Sequence, residues 1–144
     1  MTRANKGKYA EKYPSGRTTN PLLVKAVKDK ADYGVLPCAL AIMIAEEMNV
    51  PAEEIGFTID MLEIRISKCQ LGLFGNTPIS KITKAEENID KELQQAILDK
   101  SIDKRLPCTA AWELAKLFKI PKIKIAGACE ALKLKISNCQ LNAF

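Results

Sequence analysis

The chain has 144 residues, 47% of them hydrophobic and 6% aromatic, and carries a formal net charge of +5 at neutral pH without a single histidine. That much apolar material can bury a real core, as one compact domain or as two small ones leaning on each other. No run approaches the ~20 apolar residues of a membrane helix and no charged start leads into an apolar stretch, so a soluble, cytoplasmic protein without membrane partners is expected.

The first twenty residues, MTRANKGKYAEKYPSGRTTN, lack apolar periodicity and are rich in Lys, Arg, Gly, Ser and Thr, so residues 1–20 read as a flexible basic arm. Asn20 followed by Pro21 has the form of an N-cap and a first helical position, opening a helix to about Lys30 that buries Leu23, Ala26 and Val27. The proline of Leu36-Pro37-Cys38 suits another helix start, and Ala41, Ile44, Ala45 and Met48 mark one face of that helix. Asn49-Val50-Pro51 breaks it, since Asn accepts a left-handed turn and Pro51 can begin the next helix. Ile55, Ile59 and Leu62 then have helical spacing, and Glu63-Ile64-Arg65-Ile66-Ser67 alternates as a short strand does. Gly75-Asn76-Thr77-Pro78 marks a turn, and Thr83 with Glu86 has capping-box spacing, predicting a long helix from Thr83 through Leu93, Ala96 and Ile97.

From there the chain repeats itself. Residues 36–74 align without a gap on residues 106–144, with 14 of the 39 positions identical, among them Pro37, Cys38, Ala45, Pro51, Ile55, Ser67, Cys69, Gln70, Leu71 and Phe74. Ala111, Leu114, Ala115 and Phe118, then Ile120-Pro121, then Ile125, Cys129 and Leu132, then Leu134-Lys135-Ile136 restate each element. The expected organisation is a first repeat over 21–75, a linker and helix start over 76–90, and a second repeat over 91–144.

What the repeat does not preserve is charge. Residues 36–80 hold two Lys and Arg against six Asp and Glu, whereas residues 106–144 hold six against two. The repeats either attract each other, alternate along an oligomer, or turn a basic half toward a polyanion; neutral drift of a solvated surface is the competing explanation.

Two short helices joined by a tight turn, with Ala45, Val50, Ile55, Ile59 and Leu62 in one copy and Ala115, Ile120, Ile125, Cys129 and Leu132 in the other, resemble the helix-turn-helix; the strand that follows is similar to the winged-helix version. The resemblance implies a mainly α protein made of two winged-helix-like units, each three helices plus a short strand. It further implies that the second helix of each pair meets duplex DNA. The first copy would present Glu53, Glu54, Thr58 and Asp60, which repel phosphate. The second would present Lys122, Lys124, Glu130 and Lys133, with Lys135 on the strand, and the arm adds Arg3, Lys6, Lys8, Lys12 and Arg17. Neither helix carries the Arg, Asn or Gln cluster of direct base readout, so an electrostatic, regulatory or accessory DNA contact through the second repeat is expected. The alternative is a module for assembly with a protein partner or with further copies of itself.

Of five cysteines, four respect the repeat: Cys38 with Cys108 and Cys69 with Cys139. Packing as small apolar side chains is the favoured reading, and Cys129 belongs to a core stripe. A thiol pair within each repeat stays open as a redox switch, and so does a four-cysteine zinc or iron–sulfur sensor site across a pseudo-twofold axis. The 31-residue spacing within each pair and the lack of any CxxC or histidine weigh against metal. Gln70 and Gln140 are expected to tie strand to helix by a hydrogen bond. With no histidine, no phosphate-binding glycine loop and no acidic pair outside helix faces, neither enzymatic activity nor a cofactor is expected.

Overall fold

In the computed structural model, which describes residues 8–144, every element of the first unit recurs seventy residues later. Helix α1 (Pro21–Lys30) leads to strand β1 (Val35–Pro37), helix α2 (Cys38–Met48), helix α3 (Ala52–Met61) and strand β2 (Arg65–Ser67). The second unit consists of α4 (Lys91–Lys100), β3 (Arg105–Pro107), α5 (Cys108–Phe118), α6 (Lys122–Ala131) and β4 (Lys135–Ser137). The chain is thus mainly helical, with two small two-stranded sheets among the described residues.

Local signals account for most boundaries. The Asn20 side chain accepts a hydrogen bond from the Leu22 amide at 2.9 Å and Pro21 occupies the first turn, as read from the sequence. Asn49 and its counterpart Lys119 both take the left-handed conformation that ends α2 and α5, with φ of 54° and 56°. Three residues therefore separate the helices of each pair.

The strands depart from a wing. β1 pairs with β2 in parallel, Val35 opposite Arg65 through Pro37 opposite Ser67, and β3 pairs with β4 in the same register. Parallel pairing requires a long crossover, which α2 and α3 supply in the first unit and α5 and α6 in the second. The strand after each helix pair thus returns to the residues before it instead of entering a hairpin. The Leu36-Pro37 step belongs to a strand, with Pro37 as the residue that caps α2.

The helix expected from Thr83 is also absent. Helix α4 begins at Lys91, capped by Asp90, and Thr83 is buried with its hydroxyl donating to the Leu71 carbonyl. Residues 81–86 instead run along α6: the Glu86 amide donates to the Gly127 carbonyl at 3.1 Å and Lys81 pairs with Glu130 at 2.6 Å.

Part of the predicted arm has a fixed place. A short 3-10 turn, Tyr9–Lys12, docks on α3, where the amides of Tyr9 and Ala10 donate to the Glu63 carboxylate at 2.9 and 3.1 Å. Lys12 pairs at 2.9 Å with Asp60, a side chain wholly removed from solvent, and the Tyr13 hydroxyl donates to the same carboxylate at 2.6 Å. The burial of this acid is therefore compensated by charge and by a hydrogen bond.

There are two cores, and each is completed by the other unit. The first gathers Leu23, Val27, Leu36, Ile44, Ile55, Ile59 and Ile66, then takes in Leu141 and Ala143 from beyond β4. The second gathers Leu93, Ile97, Leu106, Leu114, Ile125 and Cys129, then takes in Leu71 from beyond β2. The leucines of the repeated Cys-Gln-Leu segments have exchanged cores, while Gln140 stays bonded to Cys108 of its own unit. Gly56 on α3 marks the crossing, because a Cβ there would overlap the carbonyl group of Leu141. Phe74 and Phe144, equivalent residues, meet edge to face with ring centroids 6.3 Å apart.

Candidate functional site

The residues expected to face DNA do not form one surface. Thr58 and Asp60 are buried, and α3 has no exposed side chain from Ile55 through Asp60; α6 is likewise buried from Ile125 through Cys129. The reason lies outside the helix pairs themselves. The 9–13 segment covers α3 and the 81–86 segment covers α6, contacts between chain stretches that helical periodicity does not encode.

Arg17 is committed to the fold as well. Its guanidinium pairs with Glu54 at 3.0 Å and lies 3.7 Å from the centre of the Phe57 ring, so it anchors the segment over α3. Lys8 is exposed next to the 3-10 turn, while Arg3 and Lys6 lie outside the described residues. Lys133 and Lys135 are exposed beyond the C-terminal end of α6. Lys122 and Lys124 occupy its first turn, about 15 Å away along a ten-residue helix.

Around that first turn a distinct basic site takes shape. A groove of about 660 Å³ lies between the end of α5 and the start of α6, lined by Trp112, Lys116, Lys119 and Lys122, with Glu113 as its one acidic side chain. The Lys122 ammonium stands 4.4 Å from the centre of the Trp112 ring, which holds the charge at the groove. The Trp112 indole nitrogen is buried without a hydrogen-bond partner, and its ring packs against both cores. In the first unit the same turn carries Ile42, Glu46, Asn49 and Ala52. Helical faces alone do not distinguish Lys116, Lys119 and Trp112, yet these replace Glu46, Asn49 and Ile42 at the equivalent positions. Unit-by-unit comparison of the turn is the signal that identifies them.

The cysteines occupy a second site. No disulfide joins any of the five among the described residues. Cys129 is buried within the second core, as expected. Cys38, Cys69, Cys108 and Cys139 line one cavity of about 10 Å³ at the seam between the units, together with Gln70 and Gln140. The Gln140 side-chain amide donates to the Cys108 sulfur at 3.7 Å, so this glutamine ties the segment beyond β4 to the start of α5. Burial pushes the Cys38 thiol up to about 12 and the Cys108 thiol up to about 11, with the neighbouring cysteines adding to the effect and the backbone amides of Gln70 and Gln140 opposing it. Burial likewise raises Cys129 to about 12. Among the described residues, no group of three or more His, Cys, Asp or Glu side chains is placed to hold a metal ion. No helix among them is long and apolar enough to cross a membrane.

No family model, curated protein or solved structure matches the chain.

Proposed function

We propose that this protein is a non-catalytic accessory factor that binds the phosphate backbone of nucleic acid through the turn between α5 and α6. The observation that carries this reading is the basic groove, where Lys116, Lys119 and Lys122 surround Trp112 in the second unit while Glu46, Asn49 and Ala52 hold the equivalent positions in the first. Phosphate neutralisation needs exposed cations on a fixed frame, and the left-handed Lys119 and the ring-stacked Lys122 provide it. The helix-turn-helix likeness enters as a scaffold alone: with α6 covered by residues 81–86, base edges are out of its reach and binding is insensitive to sequence.

Fluorescence anisotropy with a labelled random-sequence duplex tests the reading. Affinity should fall with salt with a logarithmic slope of about −3, since each of three phosphate contacts contributes about −0.9. Lys119→Glu/Lys122→Glu should abolish it. Absence of binding at ~50 mM salt, where such contacts are strong, would sink the proposal.

A second reading draws on the opposite charges of the two turns. Glu46 beside the first turn and the lysines beside the second would let copies associate head to tail, the geometry of an assembly module. Sedimentation velocity separates the two readings: association between copies weakens with salt in the absence of any nucleic acid, whereas a pure polyanion binder sediments as a monomer throughout.

A further inference from the structure

Where the two units cross, the repeat breaks down at three equivalent positions. On one side of the crossing Gly72, Thr83 and Ile123 close on one another: a Cβ on Gly72 would stand 2.7 Å from both the Ile123 side chain and the Thr83 hydroxyl. Seventy residues away in each case stand Asn142, Tyr13 and Glu53, all larger or charged, and there the crossing is open. A cavity of about 460 Å³ results, within the size range of small-molecule sites. Arg17 and Glu53 supply its two charges, Asn138, Gln140 and Asn142 its amides, and Phe144 an aromatic face. Arg17 bonds Glu54 through one nitrogen only, which leaves further N–H donors of its guanidinium. The side chains of Glu53 and Asn138 have no hydrogen bond or ion pair among the described residues. Thr109 brings the first turn of α5, a helix that starts without a side-chain cap.

We propose that this cavity binds a free α-amino acid, its carboxylate held by Arg17 and the first turn of α5, its ammonium by Glu53, and its side chain set against Phe144. The pairing of charges selects the ligand. A simple anion such as phosphate meets the Glu53 carboxylate, a simple cation meets Arg17, and a neutral sugar leaves both charges unanswered. A molecule with both charges satisfies both residues. The spacing agrees as well. Arg17 is tied to Glu54, the neighbour of Glu53 in the first turn of α3, so opposite charges stand side by side, as they do around the α-carbon of an amino acid. The amides of Asn138, Gln140 and Asn142 both donate and accept, which suits the polar atoms that remain. Solvent alone would satisfy exposed polar groups, but it does not account for opposite charges gathered at a cavity that the equivalent side of the crossing closes. The cavity shares no lining residue with the basic groove at the α5–α6 turn, so the inference is independent of the polyanion reading.

The test is isothermal titration calorimetry of the full chain with each of the common free L-amino acids in turn. At least one should bind with a Kd below about 1 mM, the affinity expected of two or three charge-assisted contacts. The N-acetyl and the carboxamide derivatives of that amino acid, each lacking one charge, should bind about 10-fold more weakly or worse. Glu53→Gln alters an exposed residue and spares the core; it should weaken binding of the free amino acid about 10-fold and leave the N-acetyl derivative unchanged. Glu53→Ile/Asn142→Gly copies the closed side of the crossing and should abolish binding. Should that double variant fold poorly, the Glu53→Gln measurements on the free and N-acetyl forms decide. Absence of binding by every amino acid at about 10 mM, far above the expected Kd, overturns the proposal. So does equal affinity for the charge-blocked derivatives, full affinity in a folded double variant, or tighter binding of glucose or inorganic phosphate than of any amino acid.

Discussion

Replacing Gly56 with alanine tests the exchanged segments directly. In a helix interior with free space around it, Gly→Ala stabilises by up to about 1 kcal/mol through lower unfolded-state entropy and better helix propensity. At Gly56 the new Cβ overlaps the backbone of Leu141, which cannot rotate aside as a side chain could. The segment beyond β4 must lift from α3. Leu141 and Ala143, each about 1% exposed, then lose their burial. That loss is worth about 3 kcal/mol for a leucine and an alanine together, so after the helix gain the net destabilisation is about 2 kcal/mol. Urea unfolding followed through Trp112, which packs against both cores, measures it. Leu141→Ala alone should cost about 3 kcal/mol, and the double variant should cost clearly less than the sum because both changes undo one docking event. Gly127→Ala provides contrast: its Cβ meets the Lys84 carbonyl and the flexible Glu86 side chain, in a stretch that buries little apolar surface, so its cost should be smaller. A stabilised Gly56→Ala, or strict additivity with Leu141→Ala, would refute the exchange.

Further outcomes follow from the same contacts. Tyr13→Phe removes a 2.6 Å hydrogen bond to the buried Asp60 carboxylate and should cost about 2 kcal/mol in thermal or urea unfolding. Asn20→Ala should cost about 1 kcal/mol by uncapping α1, and Asp90→Ala, whose cap bond to Glu92 is longer at 3.3 Å, should cost less. The raised thiols set a pH dependence: Cys38, Cys108 and Cys129 stay protonated in the folded chain while unfolded thiols ionise near 9, so stability is full below pH 9 and declines as pH rises toward 11 to 12. Between pH 9 and 10 each thiol contributes about 1 kcal/mol of that decline, about 3 kcal/mol in all, measurable by urea unfolding with reductant and chelator present. In Cys129→Ala the decline should shrink to about 2 kcal/mol, and an unchanged decline would count against the assignment.

Much of the local architecture was legible because it rests on local chemistry. Asn20-Pro21 opens a helix, Asn49 turns left-handed, and Ile55 and Ile59 point inward, all as spacing dictates. β1 is not legible in the sequence because three residues, Val35 to Pro37, are too few to display alternation, and a proline there reads equally as a helix start. Thr83 misled for a related reason: the spacing Thr-x-x-Glu is local, but the hydroxyl finds the distant Leu71 carbonyl instead. The exposure expected for Thr58 and Asp60 failed because the segment covering α3 comes from residues far away in sequence. Which core receives Leu71 and which receives Leu141 was not legible at all. Both units carry the same Cys-Gln-Leu, so the sequence is equally compatible with each unit keeping its own leucine or handing it over. At the basic turn the chemistry is half visible: Lys122 stands out on a helix face, whereas Lys116 and Lys119 join it through the geometry of the turn.

The exchanged segments have a consequence for how such a chain can change. Each unit's core is completed by the other's leucine, so a single copy of the unit would need a second copy to close its core, as in a symmetric pair. Joining the copies through residues 76–90 replaces that encounter with a tethered one, at an effective concentration in the millimolar range. Pairing no longer depends on how much protein is present. Symmetry is no longer enforced either: in a pair of identical chains every substitution appears on both sides, while here Glu46 and Lys116 can answer to different surroundings. The tether is what permits one half to turn acidic and the other basic while they still share a common seam.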